Sequence, residues 1–165
     1  MSLTDRFDTY DAVALAELVA KKEVSASELL EVSISLAEKH NPTLNALVHV
    51  NAGQAQKHID AGLPQGPLTG VPFLLKDLST EAVHWPSHNG SNLLRDTRYT
   101  RNSTRVDRLY DAGLVIFGRT TSPEGGIGAA TESAVSGPPT RNPWNTEHTP
   151  GGSSGGPGVA HVLVC

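Results

Sequence analysis

The chain has 165 residues, of which 38% are hydrophobic and 18% charged, and this composition predicts one folded globular domain or part of one. The formal net charge is −4, so electrostatics give no reason to expect nucleic acid or an anionic membrane as a partner. No apolar run approaches the roughly 20 residues of a membrane helix, and residues 1–9 lack the apolar segment of a secretory signal. The single cysteine, Cys165, excludes an internal disulfide bond and a cysteine metal cluster. We therefore expect a cytoplasmic protein that binds small neutral or mixed-charge ligands.

Two amphipathic helices are predicted at the beginning of the chain. Residues 11–22 carry leucines and a valine at helical spacing, and either Asp8 or Asp11 can cap this helix. The second helix begins after Ser25, with Glu28 three residues later. This spacing is typical of a capping box, in which each side chain binds the backbone N–H of the other residue.

The second helix is expected to end just before Pro42, because the residue before a proline avoids helical geometry. Residues 44–50 alternate well enough to predict a strand, and residues 52–61 predict a third helix. Glycines and prolines in residues 62–70 indicate a loop. The next buried element is therefore expected after position 70.

Two short apolar runs predict buried strands. Residues 71–75 form the first run and lead directly into Lys76, at the end of a strand, where the sites of open α/β sheets usually lie. A helix is expected between Ser103, as its cap, and Gly113, as its stop. Residues 114–117 follow as the second strand. A helix joined to a strand in this way predicts an α/β fold, in which helices cover a sheet with parallel strands.

Residues 118–158 are rich in glycine and proline, and a loop of this length in a compact domain is usually functional or disordered. Its most unusual segment, residues 151–156, places Ser153 and Ser154 between two glycine pairs. Composition alone permits a flexible linker, a phosphate-binding loop or part of a serine hydrolase site. The phosphate loop lacks its usual lysine, and the segment lacks the form of a nucleophile elbow, so composition leaves the question open.

Lys76 is a candidate base, because burial lowers the pKa of a lysine and yields a neutral amine that accepts a proton. The alternative is a solvated lysine at the end of a strand. His84 and His88 have the spacing of metal ligands on a helix, but Pro86 lies between them. A metal site at these histidines is therefore disfavoured.

Five sequence landmarks, in this order, resemble those of the amidase signature family. They are GVPFLLKD at 70–77, AGLVIFGRT followed by Pro-Glu at 112–124, TES at 131–133, PTRNPWN at 139–145 and TPGGSSGG at 149–156. The resemblance covers about residues 8–156. It implies the N-terminal portion of the amidase signature fold, an α/β fold in which helices cover a mixed sheet.

The catalytic group of this family is a Ser/Ser/Lys triad. By position, Lys76 matches the lysine, and Ser153 matches the bridging serine, which a cis peptide joins to Gly152. The resemblance implies hydrolysis of a small-molecule carboxamide through an acyl-serine, without a metal or organic cofactor. The alternatives are the amidase-like component of a tRNA-dependent amidotransferase and a non-catalytic fragment. The substrate-binding residues that the resemblance implies are Gly126, Ile127 and Ser154.

The sequence also departs from the family pattern. The nucleophilic serine of the family is expected beyond residue 165, so we expect a chain truncated before its nucleophile and inactive alone. Residues 1–61 would then be the N-terminal helices and first strand of a single amidase domain, and residues 62–165 the start of its catalytic core. Residues 157–165 do not match the Ala-rich helix of the family, so the resemblance is expected to end at Gly156.

Overall fold

The computed structural model of the protein describes Leu3 and residues 6–164, so Cys165 lies outside the described residues. The helices are α1 (Ala12–Ala20), α2 (Ala26–Leu44), α3 (Ala52–Asp60), α4 (Thr104–Asp111) and α5 (Gly155–Val164). The strands are β1 (Leu47–Val50), β2 (Pro72–Lys76) and β3 (Val115–Thr120). Short 3-10 helices occupy Phe7–Thr9, Asn92–Leu94 and Glu124–Gly126. Within the described residues no helix has both the length and the apolar character required to cross a membrane.

The strands form a mixed sheet in the order β1-β3-β2. The central strand, β3, pairs with β2 in parallel and with β1 in antiparallel orientation. Every residue of β3 is buried, which explains the apolar run in its first half. The helix α2 contacts α3, α5 and both parallel strands. The α/β class and the mixed sheet predicted from the sequence are confirmed.

Both predicted N-terminal caps are present in the first two helices. The Asp11 side chain accepts a hydrogen bond of 2.8 Å from the Ala14 backbone N–H at the start of α1. At the start of α2, Ser25 Oγ accepts from the Glu28 N–H, and Glu28 Oε2 accepts from the Ser25 N–H at 2.8 Å. These local hydrogen bonds confirm the predicted capping box.

The prediction that α2 ends before Pro42 is wrong, because the helix continues through this proline to Leu44. Only the last turn of α2 follows Pro42, and the Asn45 N–H closes that turn by donating to Asn41 O at 2.8 Å. The Asn41 side chain then accepts from Leu47 N and donates to Leu47 O. These hydrogen bonds stabilise the helix end despite the proline, and β1 consequently begins at Leu47 rather than at position 44.

The helix α4 begins and ends near the predicted positions, but Ser103 does not cap it with its side chain. Instead, Ser103 Oγ donates to the carbonyl oxygen of Glu81 at 3.2 Å. Gly113 follows the helix with φ +86°, and a Cβ atom there would lie 2.5 Å from Thr69 Cα. Only glycine fits this close approach, so Gly113 permits the turn into β3.

The last described element, α5, was not expected from the residues after Gly156. Its third residue is Pro157, which the first turn of a helix tolerates because the N–H groups there have no helical partner. Val159 and Ala160 of this helix are buried. The segment that the sequence left unassigned is therefore a packed helix of the domain.

Candidate active site

The carboxyl end of β2 and the loop before α5 meet at the Lys76 side chain. Lys76 Nζ lies 2.9 Å from Ser153 Oγ and 3.0 Å from Ser154 Oγ, within hydrogen-bond distance of both. The Gly152–Ser153 peptide bond is cis, as the resemblance implies. The structure thus brings together the lysine and the serine predicted to be catalytic. It also places Ser154 at the same amine, so the two distances alone do not separate the serines.

Lys76 is half-buried, and this burial lowers the pKa of its amine below the ordinary value. Burial has this effect because removal from water disfavours the charged ammonium form. A lysine with a lowered pKa has a larger neutral fraction, which can accept a proton from a neighbouring hydroxyl. The amine and its two hydroxyl partners therefore form a group capable of proton transfer.

Arg119, the second-last residue of the central strand β3, fixes the backbone around Lys76. Its side chain is 0% exposed, and its guanidinium donates to the carbonyl oxygen of Lys76 at 2.8 Å. It also donates to the carbonyl oxygens of Thr80 at 2.6 Å and Trp85 at 2.8 Å. One buried cation therefore joins the end of β2 to the segment that follows it. The sequence offered one signal of this role, an arginine within a buried apolar strand.

The buried Asp77 carboxylate organises the next part of the same segment. It accepts hydrogen bonds from the backbone N–H groups of His88 at 2.8 Å and Gly90 at 3.2 Å. The Asp77 carbonyl oxygen accepts from Ser122 Oγ at 2.7 Å. The residues after β2 and those after β3 are thus attached to each other next to Lys76.

The loop that carries the two serines lies on the backbone of residues 128–131. A Cβ atom on Gly152 would lie 2.7 Å from the carbonyl oxygen of Gly128, so glycine is required for this approach. The buried Thr131 hydroxyl contacts the loop on both sides of the serines, at Gly151 and Gly155. The sequence shows Thr131 only as the first residue of the TES landmark and gives no signal of this role.

Of the residues predicted to bind substrate, Gly126 and Ile127 lie in the neighbouring loop, whereas Ser154 lies in the serine loop beside Ser153. Gly126 has φ +73° and lies against the side chain of Leu78, two residues after Lys76. Ile127 is 87% exposed, an unusual position for a large apolar side chain. This loop contacts the segment after β2 through Gly126 and the serine loop through Gly128, so it borders the site on two sides.

The histidines considered as metal ligands do not belong to a larger ligand cluster. Among the residues that the structure describes, no three His, Cys, Asp or Glu side chains converge as a metal site would require. His84 has φ +72° and therefore does not lie on a helix. The Nδ1 atom of His88 is buried without a hydrogen-bond partner.

Comparison with known sequences identifies the family of this chain. The family model described as Amidase matches residues 28–161, which extends past Gly156 and shows that the predicted end of the resemblance was wrong. A glutamyl-tRNA(Gln) amidotransferase subunit of Mycobacterium tuberculosis (strain ATCC 25177 / H37Ra) is 39% identical over 158 residues, covering 91% of this chain and 32% of that protein. The same subunit of Acidothermus cellulolyticus is 38% identical and is covered to 30%. The chain spans about a third of the length of the curated relatives it matches.

Solved structures give a similar result. The 6-aminohexanoate cyclic dimer hydrolase superposes with a TM-score of 0.86 at 35% identity, over 94% of this chain and 33% of that chain. A bacterial aryl acylamidase of the amidase signature enzymes superposes with a TM-score of 0.84 at 36% identity, over 91% and 32% of the two chains. The corresponding glutamyl-tRNA(Gln) amidotransferase subunit of Thermotoga maritima gives a TM-score of 0.68 at 26% identity, over 82% and 28%.

Proposed function

Because this chain belongs to the amidase signature family, we propose that it is the N-terminal portion of an enzyme that hydrolyses a carboxamide to a carboxylate and ammonia or an amine. The observation that carries the proposal is the contact of Lys76 Nζ with Ser153 Oγ at 2.9 Å. The match to this chain covers about a third of each relative, so the activity of the whole enzyme forms part of the proposal.

In this proposal Lys76 is the base and Ser153 is the relay. The neutral Lys76 amine takes the Ser153 hydroxyl proton while Ser153 takes the proton of a nucleophilic serine located beyond residue 165. That serine attacks the amide carbonyl, and the proton returns through Ser153 to the leaving nitrogen. Water then attacks the acyl-serine and loses a proton through Ser153 to Lys76. That proton returns to the departing serine oxygen, so the carboxylic acid and the free serine are released. The lowered pKa of Lys76 supports this assignment, because the base must be neutral before attack.

We assign substrate contacts to Gly126, Ile127 and Ser154. The support for this assignment is that the Gly126 loop borders the serine loop and that Ile127 is exposed in that same loop. An exposed apolar side chain there can contact the apolar part of a small-molecule amide. Replacing Ile127 with alanine is expected to raise KM more than it lowers kcat.

A second candidate function is that of the amidase-like component of a tRNA-dependent amidotransferase. One observation favours it: sequence identity is 39% to the Mycobacterium amidotransferase protein and 35% to the cyclic dimer hydrolase. The TM-score favours the hydrolase, at 0.86 against 0.68 for the Thermotoga amidotransferase protein. Ammonia release from glutamine only in the presence of partner subunits would support this second function.

The cytoplasmic location expected from the sequence stays a prediction.

A chimaeric enzyme tests the proposal directly. Residues 1–154 replace the equivalent N-terminal segment of the 6-aminohexanoate cyclic dimer hydrolase, and amide hydrolysis is measured. We expect activity that falls by about 10²–10⁴-fold in Lys76→Ala and in Ser153→Ala. Lys57→Ala, an exposed lysine on α3, is the matched control and should leave the rate unchanged.

The isolated 165-residue chain should hydrolyse no amide above background, because the proposed nucleophile lies elsewhere. Near-native turnover in the Lys76→Ala chimaera would overturn the assignment of Lys76 as the base. Amide turnover by the isolated chain that survives Lys76→Ala would overturn the whole triad.

A further inference from the structure

A single buried hydroxyl closes the loop that carries both serines. Thr131 is 1% exposed, and its Oγ1 atom donates to the carbonyl oxygen of Gly151 at 2.8 Å. The same atom accepts a hydrogen bond from the backbone N–H of Gly155 at 3.0 Å. A hydroxyl has one donor and two acceptor positions, so these two bonds are compatible with each other. They join the two ends of the segment that contains Ser153 and Ser154.

The loop lies too close to its support to admit a side chain at Gly155 or at Gly152. A Cβ atom on Gly155 would overlap Thr131 Oγ1, and a Cβ atom on Gly152 would lie 2.7 Å from the carbonyl oxygen of Gly128. The Thr131 backbone is itself anchored, because its carbonyl oxygen accepts from the Thr140 N–H at 3.0 Å. The loop therefore rests on a fixed support and is attached to it through one side chain.

We propose that Thr131 is a positioning residue whose hydroxyl holds the Ser153–Ser154 loop against the Lys76 amine. Its meaning for catalysis rests on the proposed function, whereas its effect on the placement of the loop does not. Without the hydroxyl, the Gly151 carbonyl and the Gly155 N–H lose their buried partner. Both groups then lower their free energy by moving to where they can bind water, and this movement draws the serines away from Lys76.

Two substitutions of similar size separate the hydroxyl from the packing. Thr131→Val keeps the shape of the side chain but removes both hydrogen bonds, whereas Thr131→Ser keeps the hydroxyl and removes a methyl group. Thr140→Val is the matched control, because Thr140 is also 1% exposed and its hydroxyl bonds Thr121 and Asn45 rather than the loop. The substitution retains the Thr140 backbone N–H, which is the group that binds Thr131. Circular dichroism verifies that each variant is folded.

Amide hydrogen exchange gives the first measurement. Exchange of the Gly155 N–H should be about tenfold faster in Thr131→Val, the factor expected from the loss of one hydrogen bond. The second measurement is the pH titration of the Lys76 side chain by NMR in protein labelled with ¹³C-lysine, with the resonance assigned from Lys76→Arg. The pKa of Lys76 should rise toward its ordinary value in Thr131→Val, because the displaced loop no longer buries the amine.

Thr131→Ser and Thr140→Val should resemble the parent in both measurements. If Thr131→Val fails to fold, Thr131→Ser still tests the proposal. A raised pKa of Lys76 together with fast exchange of the Gly155 N–H in Thr131→Ser would overturn it. Unchanged exchange and titration in a folded Thr131→Val would also overturn it. Both measurements report where the loop lies, so they stand apart from the chimaera assay, which tests whether Lys76 acts in catalysis.

Discussion

Replacing Arg119 with methionine should be among the most destabilising single changes in this chain. Methionine retains much of the apolar length of arginine but donates no hydrogen bonds. The substitution leaves the carbonyl oxygens of Lys76, Thr80 and Trp85 without the guanidinium that now binds them. The effect therefore combines lost charge-assisted hydrogen bonds with polar groups that remain buried and unpaired.

The size of the effect follows from these contacts. A buried acceptor without a partner costs about 1–3 kcal/mol, and there are three such carbonyls in this case. The methionine variant has no guanidinium to remove from water on folding, and avoiding this desolvation cost offsets part of the loss. We expect the free energy of unfolding to fall by about 3–5 kcal/mol. This is a large part of the roughly 5–15 kcal/mol that stabilises a typical domain.

Urea unfolding followed by tryptophan fluorescence measures this change. Trp85 is 2% exposed and Trp144 is 84% exposed, so a Trp144→Phe background makes the buried indole the reporter. Arg105→Met, at an exposed arginine of α4, is the control and should change stability by less than about 0.5 kcal/mol. A loss of under about 1 kcal/mol for Arg119→Met would refute the reasoning, because the three carbonyls would then have found other partners.

Three further predictions concern local contacts. Ser25→Ala should lower the urea midpoint at neutral pH and have less effect below pH 4.5. The Ser25 N–H and, to a smaller extent, the Ser25 hydroxyl donate to the Glu28 carboxylate and lower its pKa, and the substitution removes only the hydroxyl. The stability that the hydroxyl contributes is lost as the pH falls through that lowered pKa, so urea midpoints at about pH 7 and about pH 3 test this. Burial, with the nearby charge of Arg119, lowers the pKa of His49 from 6.5. As the pH drops below about 6.5, the unfolded chain therefore binds the proton before the folded chain does, and the free energy of unfolding falls. Between about pH 8 and about pH 5, His49→Phe should lose less stability than the parent. Gly118→Ala should lower the free energy of unfolding by about 1–3 kcal/mol, because the new Cβ would overlap the carbonyl oxygen of His49 in β1. Gly53→Ala in α3, where the nearest atom is 3.7 Å away, should raise it by about 0.5–1 kcal/mol. Equal urea midpoints for the two variants would contradict the steric argument.

The sequence alone determined the elements whose signals are local. The capping box of Ser25 and Glu28 joins residues three positions apart, so its pattern is visible in a short window. The continuous apolar runs likewise predicted the strands β2 and β3, because burial on both faces leaves few polar positions. The ordered landmarks were by themselves sufficient to indicate the family, which the match to the Amidase family model confirms.

Only the tertiary structure decided which of these residues meet. Lys76 and Ser153 are 77 positions apart, and their contact depends on the order of the strands and on the path of the long loop. The contact of Arg119 with Lys76 spans 43 positions, and that of Thr131 with Gly155 spans 24. A propensity or a hydrophobic period describes neighbours along the chain and contains no information about such pairs. The end of α2 beyond Pro42 is likewise attached to β1 by the Asn41 side chain binding Leu47, a contact that lies outside the helix itself.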